Sequence, residues 1–117
     1  MGEFTHFNQH GDAIMVDISK KAETAREAIA EGRISMNQEC FDQVKAGSIG
    51  KGDVLGVARI AGIMGAKKTS ELTPLCHLLS LAKAEIDFEL EDETCSVRTI
   101  CTARTTGKTG VEMEALT

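Results

Sequence analysis

The most regular pattern in the chain is a two-residue alternation. Ala84, Ile86, Phe88 and Leu90 alternate with Glu85, Asp87, Glu89 and Glu91, and Val97, Thr99, Cys101 and Ala103 alternate with Arg98, Ile100, Thr102 and Arg104. Successive side chains of a strand point to opposite faces, so each run predicts a strand with one buried face. The acidic turn EDET at 91–94 joins the two into an antiparallel hairpin, and a tight loop sets Asp87 opposite Arg98 and Phe88 opposite Val97. The stretch 24–36 reads both ways: AETAREAIA is rich in helix formers, yet Arg26, Ala28 and Ala30 alternate with Glu27, Ile29 and Glu31. Interior Gly32 penalises a helix and suits a bulge, and Ile34 and Met36 continue the alternation, so a strand is predicted there.

Between these strands the spacing becomes helical. Asn37 is a suitable N-cap ahead of Cys40, Phe41 and Val44, and Gly47 is a natural stop, which predicts a helix over 38–46. GSIGKGD at 47–53 reads as a glycine-rich loop whose Asp53 caps a second helix over 54–68. Val54, Val57, Ala58, Ala61 and Met64 form one apolar stripe, widened by Leu55 and Ile60, so this helix is expected to be largely buried. Gly56, Gly62 and Gly65 weaken it unless another backbone packs closely there. Residues 1–21 are polar apart from Ile14, Met15, Val16 and Ile18, and predict an extended arm with one short strand-like piece.

The order strand, helix, helix, strand, strand, helix start implies one α+β domain over 1–117: an antiparallel sheet with helices packed on one face, compatible with a ferredoxin-like layout. Composition agrees with a folded chain, being 42% hydrophobic and 26% charged with one proline. The net charge of −5 and an aromatic content of 3%, all phenylalanine, argue against nucleic-acid binding; a phosphorylated ligand needs a local basic cluster instead. No apolar stretch is long enough to span a bilayer, so no membrane partner is expected. Cys40, Cys76, Cys95 and Cys101 form no CxxC pair and follow no signal peptide, which reads as reduced thiols in the cytoplasm and argues against a zinc site.

Several residues carry chemistry. GKT at 107–109 is not a P-loop, because the required earlier glycine is Thr102. Gly107 and Gly110 can still expose backbone N–H groups beside Lys108 for an anion, although an ordinary turn with a solvated lysine fits the motif better on its own. Glu112 and Glu114 are either acid–base groups or surface acids flanking Met113. Cys76 and His77 follow Pro74 and Leu75 at a chain break; an imidazole there can move protons, but adjacent side chains make no catalytic dyad. Lys51 sits between Gly50 and Gly52, and Lys21, Arg26, Lys67 and Arg104 are further phosphate-clamp candidates, each ordinary unless they converge in space.

MVDIS at 15–19, TAREA at 24–28, KGDVL at 51–55, VARIAGIMGAKKTSEL at 57–72, PLCH at 74–77 and TGVEMEALT at 109–117 together resemble the molybdenum cofactor biosynthesis protein C family, in order and spacing along nearly the whole chain. That resemblance implies a ferredoxin-like α+β fold. It also implies a lyase activity that converts 3′,8-cyclo-7,8-dihydroguanosine triphosphate to cyclic pyranopterin monophosphate with release of diphosphate. Carried over position by position, it places Leu75, Cys76, His77, Met113 and Glu114 along the substrate, with Lys51, His77 and Glu112 as catalytic groups. His77 would shuttle or orient protons, Glu112 would set a carboxylate beside the ring, and Lys51 would stabilise developing charge. Lys21, Arg26, Lys67, Arg104 and Lys108 become triphosphate contacts. The resemblance implies no protein metal ligands, leaves room for magnesium (Mg2+) bound with the triphosphate or diphosphate, and implies a homo-oligomer, a hexamer built as a trimer of dimers with sites between subunits.

Two departures stand out. Leu78 occupies a position where the family has proline, which loosens the loop carrying Cys76 and His77. The family also continues past the position of Thr117 with a helix bearing an aspartate and a lysine implied in catalysis. A noncatalytic oligomeric ligand-binding module, or an inactive truncated form, is therefore the alternative expectation.

Overall fold

The computed structural model describes residues 8–47 and 53–117. The ambiguous stretch is a strand, β1 (Thr24–Ser35), and the alternating runs form β2 (Lys83–Glu91) and β3 (Ser96–Gly107). The sheet order is β1-β3-β2, both pairings antiparallel, so β1 and β2 run parallel on either side of β3. Between β1 and β2 the chain forms α1 (Gln38–Ala46), α2 (Val54–Lys67) and the short α3 (Thr69–Leu72); α4 (Glu112–Leu116) follows β3. A strand, a helical crossover and a hairpin whose second strand lies centrally form an α+β arrangement consistent with a ferredoxin-like fold.

Parity along the strands decides what is buried. Ala28 and Ala30 on β1, Ile86 and Phe88 on β2, and Cys101 and Ala103 on β3 share one face with Val111 and Ala115 from α4, and this is the core. The opposite face carries Arg98 between Glu31 (2.6 Å) and Glu89 (2.8 Å), and Arg104 paired with Glu27. Both carboxylates raise the Arg98 pKa, the Glu89 hydrogen bond foremost. α2 lies over β2, where Arg59 Nε donates to the Ile86 carbonyl of this edge strand (2.8 Å) and its guanidinium stands 5.4 Å from the Phe88 ring.

Both caps form as predicted. Asn37 accepts from the Cys40 N–H (2.8 Å), Asp53 accepts from the Gly56 N–H (3.0 Å), and Gly47 ends α1 with a left-handed φ of 67°.

Four expectations are corrected. The hairpin pairs Glu89 with Arg98 and Phe88 with Thr99, because its four-residue loop is Asp92 to Cys95, one residue later than the expected 91–94, which shifts the register by two; a shift of two keeps the same faces together. Gly32 makes no bulge, since the β1–β3 register runs unbroken from Thr24 to Ser35. The arm forms no strand at 14–18 and, among its described residues, carries an isolated bridge at Ala13.

The fourth correction concerns α2. It turns only part of its surface inward, leaving Val57, Ile60 and Met64 at 62%, 62% and 53% exposure. Of its glycines, Gly62 faces the Ile86 side chain, Gly56 faces its own cap and Gly65 meets nothing within 4 Å, so no neighbouring backbone among the described residues explains them. Among the described residues no helix is long and apolar enough to cross a membrane.

Candidate functional site

The segment 73–82 reaches the sheet by a turn. Thr73 accepts from the Cys76 N–H (3.5 Å), with Pro74 next and Leu75 at φ 69°, the arrangement of a type II turn that here places a leucine where glycine is usual. The segment is then pinned to the end of β3: Thr105 Oγ1 donates to the Ser80 carbonyl (2.6 Å), and Ala82 N–H to the Arg104 carbonyl (2.8 Å). Leu78, at the position where the family has proline, is 80% exposed and packs against little.

The other half of the site comes from the chain leaving β3. Arg26 Nε donates to the Gly107 carbonyl (3.0 Å) and its Nη2 to the Lys108 carbonyl (3.4 Å), which holds the turn leading into α4. The Glu112 carboxylate folds back over Gly110, into space that a β-carbon there would occupy. A side chain at 110 would have to move that flexible carboxylate aside.

These two segments enclose a cleft of about 450 Å³ lined by Leu75, Cys76 and His77 on one side and Glu112, Met113 and Glu114 on the other, with Thr73, Pro74, Leu79, Thr109 and Gly110 completing it. Six sequence-predicted site residues, 35 or more positions apart between the two groups, therefore share one cavity. Lys51 lies outside the described residues.

Glu114 is only 5% exposed, and burial raises its carboxyl pKa; its own backbone N–H lowers it in part, and the Glu112 charge raises it further. Burial also raises the Cys76 thiol pKa, with the Glu114 charge adding to it, so Cys76 is a neutral wall of the cleft and a poor nucleophile. An apolar cavity edged by an imidazole and two carboxylates in unlike environments is suited to holding a flat heterocycle while protons are moved on and off it.

The five cations expected at a triphosphate do not line the cleft. Arg104 projects from the opposite face of the sheet, because residue 104 falls on the outward parity of β3, and it pairs with Glu27. Arg26 is engaged with backbone carbonyls, Lys108 Nζ reaches the Ser19 carbonyl (3.4 Å), and Lys21 and Lys67 are exposed on the arm and at the end of α2. Among the described residues, no group of three or more His, Cys, Asp or Glu is placed to hold a metal ion.

Sequence reasoning missed the part played by the arm. His77 Nε2 lies 2.6 Å from the Val16 carbonyl, a backbone acceptor that leaves no trace in residue type.

Comparison with known proteins gives a consistent answer. Residues 15–117 match the model of the MoaC family. The chain is 54% identical over 117 residues to the cyclic pyranopterin monophosphate synthase of Heliobacterium modesticaldum, covering all of this chain and 74% of that protein. It is 55% identical over 115 residues to the protein of that name from Clostridium botulinum (98% and 72% covered) and 48% over 114 residues to that of Clostridium acetobutylicum (97% and 71%). With nearly its whole length matched by the family model and by relatives at about half identity, the chain belongs to the MoaC family.

Proposed function

We propose that this protein is a cyclic pyranopterin monophosphate synthase of molybdenum cofactor biosynthesis, a lyase acting in the cytoplasm on 3′,8-cyclo-7,8-dihydroguanosine triphosphate and releasing diphosphate. The observation that carries the reading is the meeting of Leu75–Cys76–His77 with Glu112–Met113–Glu114 around one cleft, in a chain whose relatives bear that enzyme's name.

The reaction asks three things of a site. A purine-derived ring must be held while protons move; a hydroxyl must be brought in line with a phosphorus atom; and the departing diphosphate must have its charge met. Leu75, Leu79 and Met113 provide apolar walls for the ring. His77 moves protons, Glu112 sets a carboxylate beside the ring, and Glu114, whose raised pKa favours the acid form, can donate. Lys51 meets charge that develops in the transition state. Magnesium, where present, arrives with the substrate's phosphates.

The phosphate-binding cations are supplied by assembly. α2 exposes Val57, Ile60 and Met64 along one face, a stripe suited to burial against a second copy, and this supports a homo-oligomer, a hexamer built as a trimer of dimers. In such an assembly Lys21, Lys67, Arg104 or Lys108 of a neighbouring copy reaches the cleft, which among the described residues of one chain is lined by no lysine or arginine.

The test is turnover of the cyclic triphosphate to cyclic pyranopterin monophosphate and diphosphate by the unmodified chain, with Lys51→Ala and His77→Ala each abolishing it while the oligomer persists. Wild-type turnover in both variants removes the site assignment.

A further inference from the structure

The arm before β1 spans both halves of the cleft. Asp17 Oδ1 accepts from the Ser19 N–H (2.9 Å), which lowers the Asp17 pKa, and the Lys21 N–H returns to the Ile18 carbonyl (3.0 Å); these local turns present the arm's carbonyls inward. The Val16 carbonyl meets His77 Nε2 at 2.6 Å on one wall of the cleft, and the Ser19 carbonyl accepts from Lys108 Nζ at 3.4 Å beside the other. Val16 and Ile18 are the half-buried residues among the arm's otherwise exposed positions 13–20.

A carbonyl oxygen carries no proton, so the ring nitrogen hydrogen-bonded to it must be the donor. His77 Nε2 therefore holds the N–H, and in the neutral ring Nδ1 holds the lone pair; among the described residues Nδ1 makes no hydrogen bond. We propose that the arm is a positioning element of the active site: the Val16 carbonyl locks His77 as the Nε2–H tautomer and leaves Nδ1 as the atom that takes a proton from the substrate and returns it.

When Nδ1 accepts that proton the ring becomes an imidazolium, and the bond from Nε2–H to Val16 becomes charge-assisted and stronger, which favours the protonated intermediate. On return of the proton the ring reverts to the same tautomer, so the cycle needs no ring flip. The role in proton transfer rests on the functional reading above; the tautomer itself does not.

Cys40 allows a direct test. A synthetic segment 1–39 in which Asp17 is replaced by its α-hydroxy acid, ligated at Cys40 to the rest of the chain, turns the amide after Val16 into an ester and weakens that carbonyl as an acceptor without changing any side chain. Long-range nitrogen–proton correlation on labelled His77 should show protonated Nε2 and unprotonated Nδ1 in the all-amide protein, and tautomer averaging in the ester form. With the cyclic triphosphate, the ester form should lose about tenfold in kcat with little change in KM, part of the roughly 10²–10⁴-fold that a positioned acid–base group supplies.

An Nδ1–H tautomer in the all-amide protein, or an unchanged spectrum and kcat in the ester form, overturns the proposal. An all-amide protein that shows the expected tautomer and its loss in the ester form, yet no turnover, overturns the catalytic reading and its proton-transfer role, while the locking by Val16 stands.

Discussion

Arg26, in the third position of β1, donates from Nε to the carbonyl of Gly107 at the end of β3, 3.0 Å away and 81 residues on. With its Nη2 on the Lys108 carbonyl, one guanidinium holds the turn from which the Glu112–Glu114 wall departs. Arg26→Ala should lower stability by about 1.5–3 kcal/mol in urea denaturation, the range for hydrogen bonds to charged groups, and should lower kcat. Arg26→Lys should recover little of either, because a lysine cannot serve two carbonyls with a rigid fork. A lysine variant indistinguishable from wild type would show that charge alone matters there.

Glu114 makes stability depend on pH. Its folded pKa lies above the ordinary value of 4.5, chiefly through burial. Between the unfolded and the folded value the folded chain binds more protons, so this contribution is fully present below the unfolded pKa and is lost as pH rises through the folded one. Glu114→Gln should therefore gain on wild type as pH is raised from about 4 to about 8, read as the difference between their denaturation midpoints. A constant difference across that range would mean that burial does not perturb this carboxyl.

Among the described residues of one chain nothing lies within 4 Å of a β-carbon placed at Gly65. Gly65→Ala should accordingly stabilise the isolated subunit by roughly 0.5–1 kcal/mol through helix propensity, measured by thermal unfolding. Loss of stability together with loss of the oligomer would place a neighbouring subunit against this glycine.

Ile60, 62% exposed at the centre of the α2 stripe, offers a direct probe of assembly. Ile60→Glu should yield monomers in light scattering while leaving the helical and strand content of the subunit unchanged, since the side chain does not enter the core. An intact oligomer in this variant would move the interface to another face.

The alternation in β2 and β3, the caps at Asn37 and Asp53 and the stop at Gly47 were legible in the chain because each depends on neighbours within a few residues. Gly32 and the spacing of Ile34 were enough to choose strand over helix for β1, even though the sequence locally favours both. The family motifs likewise marked His77 and Glu112, which the fold then set on opposite walls of one cleft.

What residue order could not specify was long-range. The engagement of Arg26 with backbone carbonyls and the contact of Val16 with His77 both depend on the path of the chain through space. Backbone carbonyls are alike at every residue, so only tertiary structure selects which of them meets the His77 ring. The apolar stripe of α2 was legible as a pattern, but the burial expected from it does not occur within the chain, because hydrophobicity names no partner and the fold leaves Val57, Ile60 and Met64 exposed.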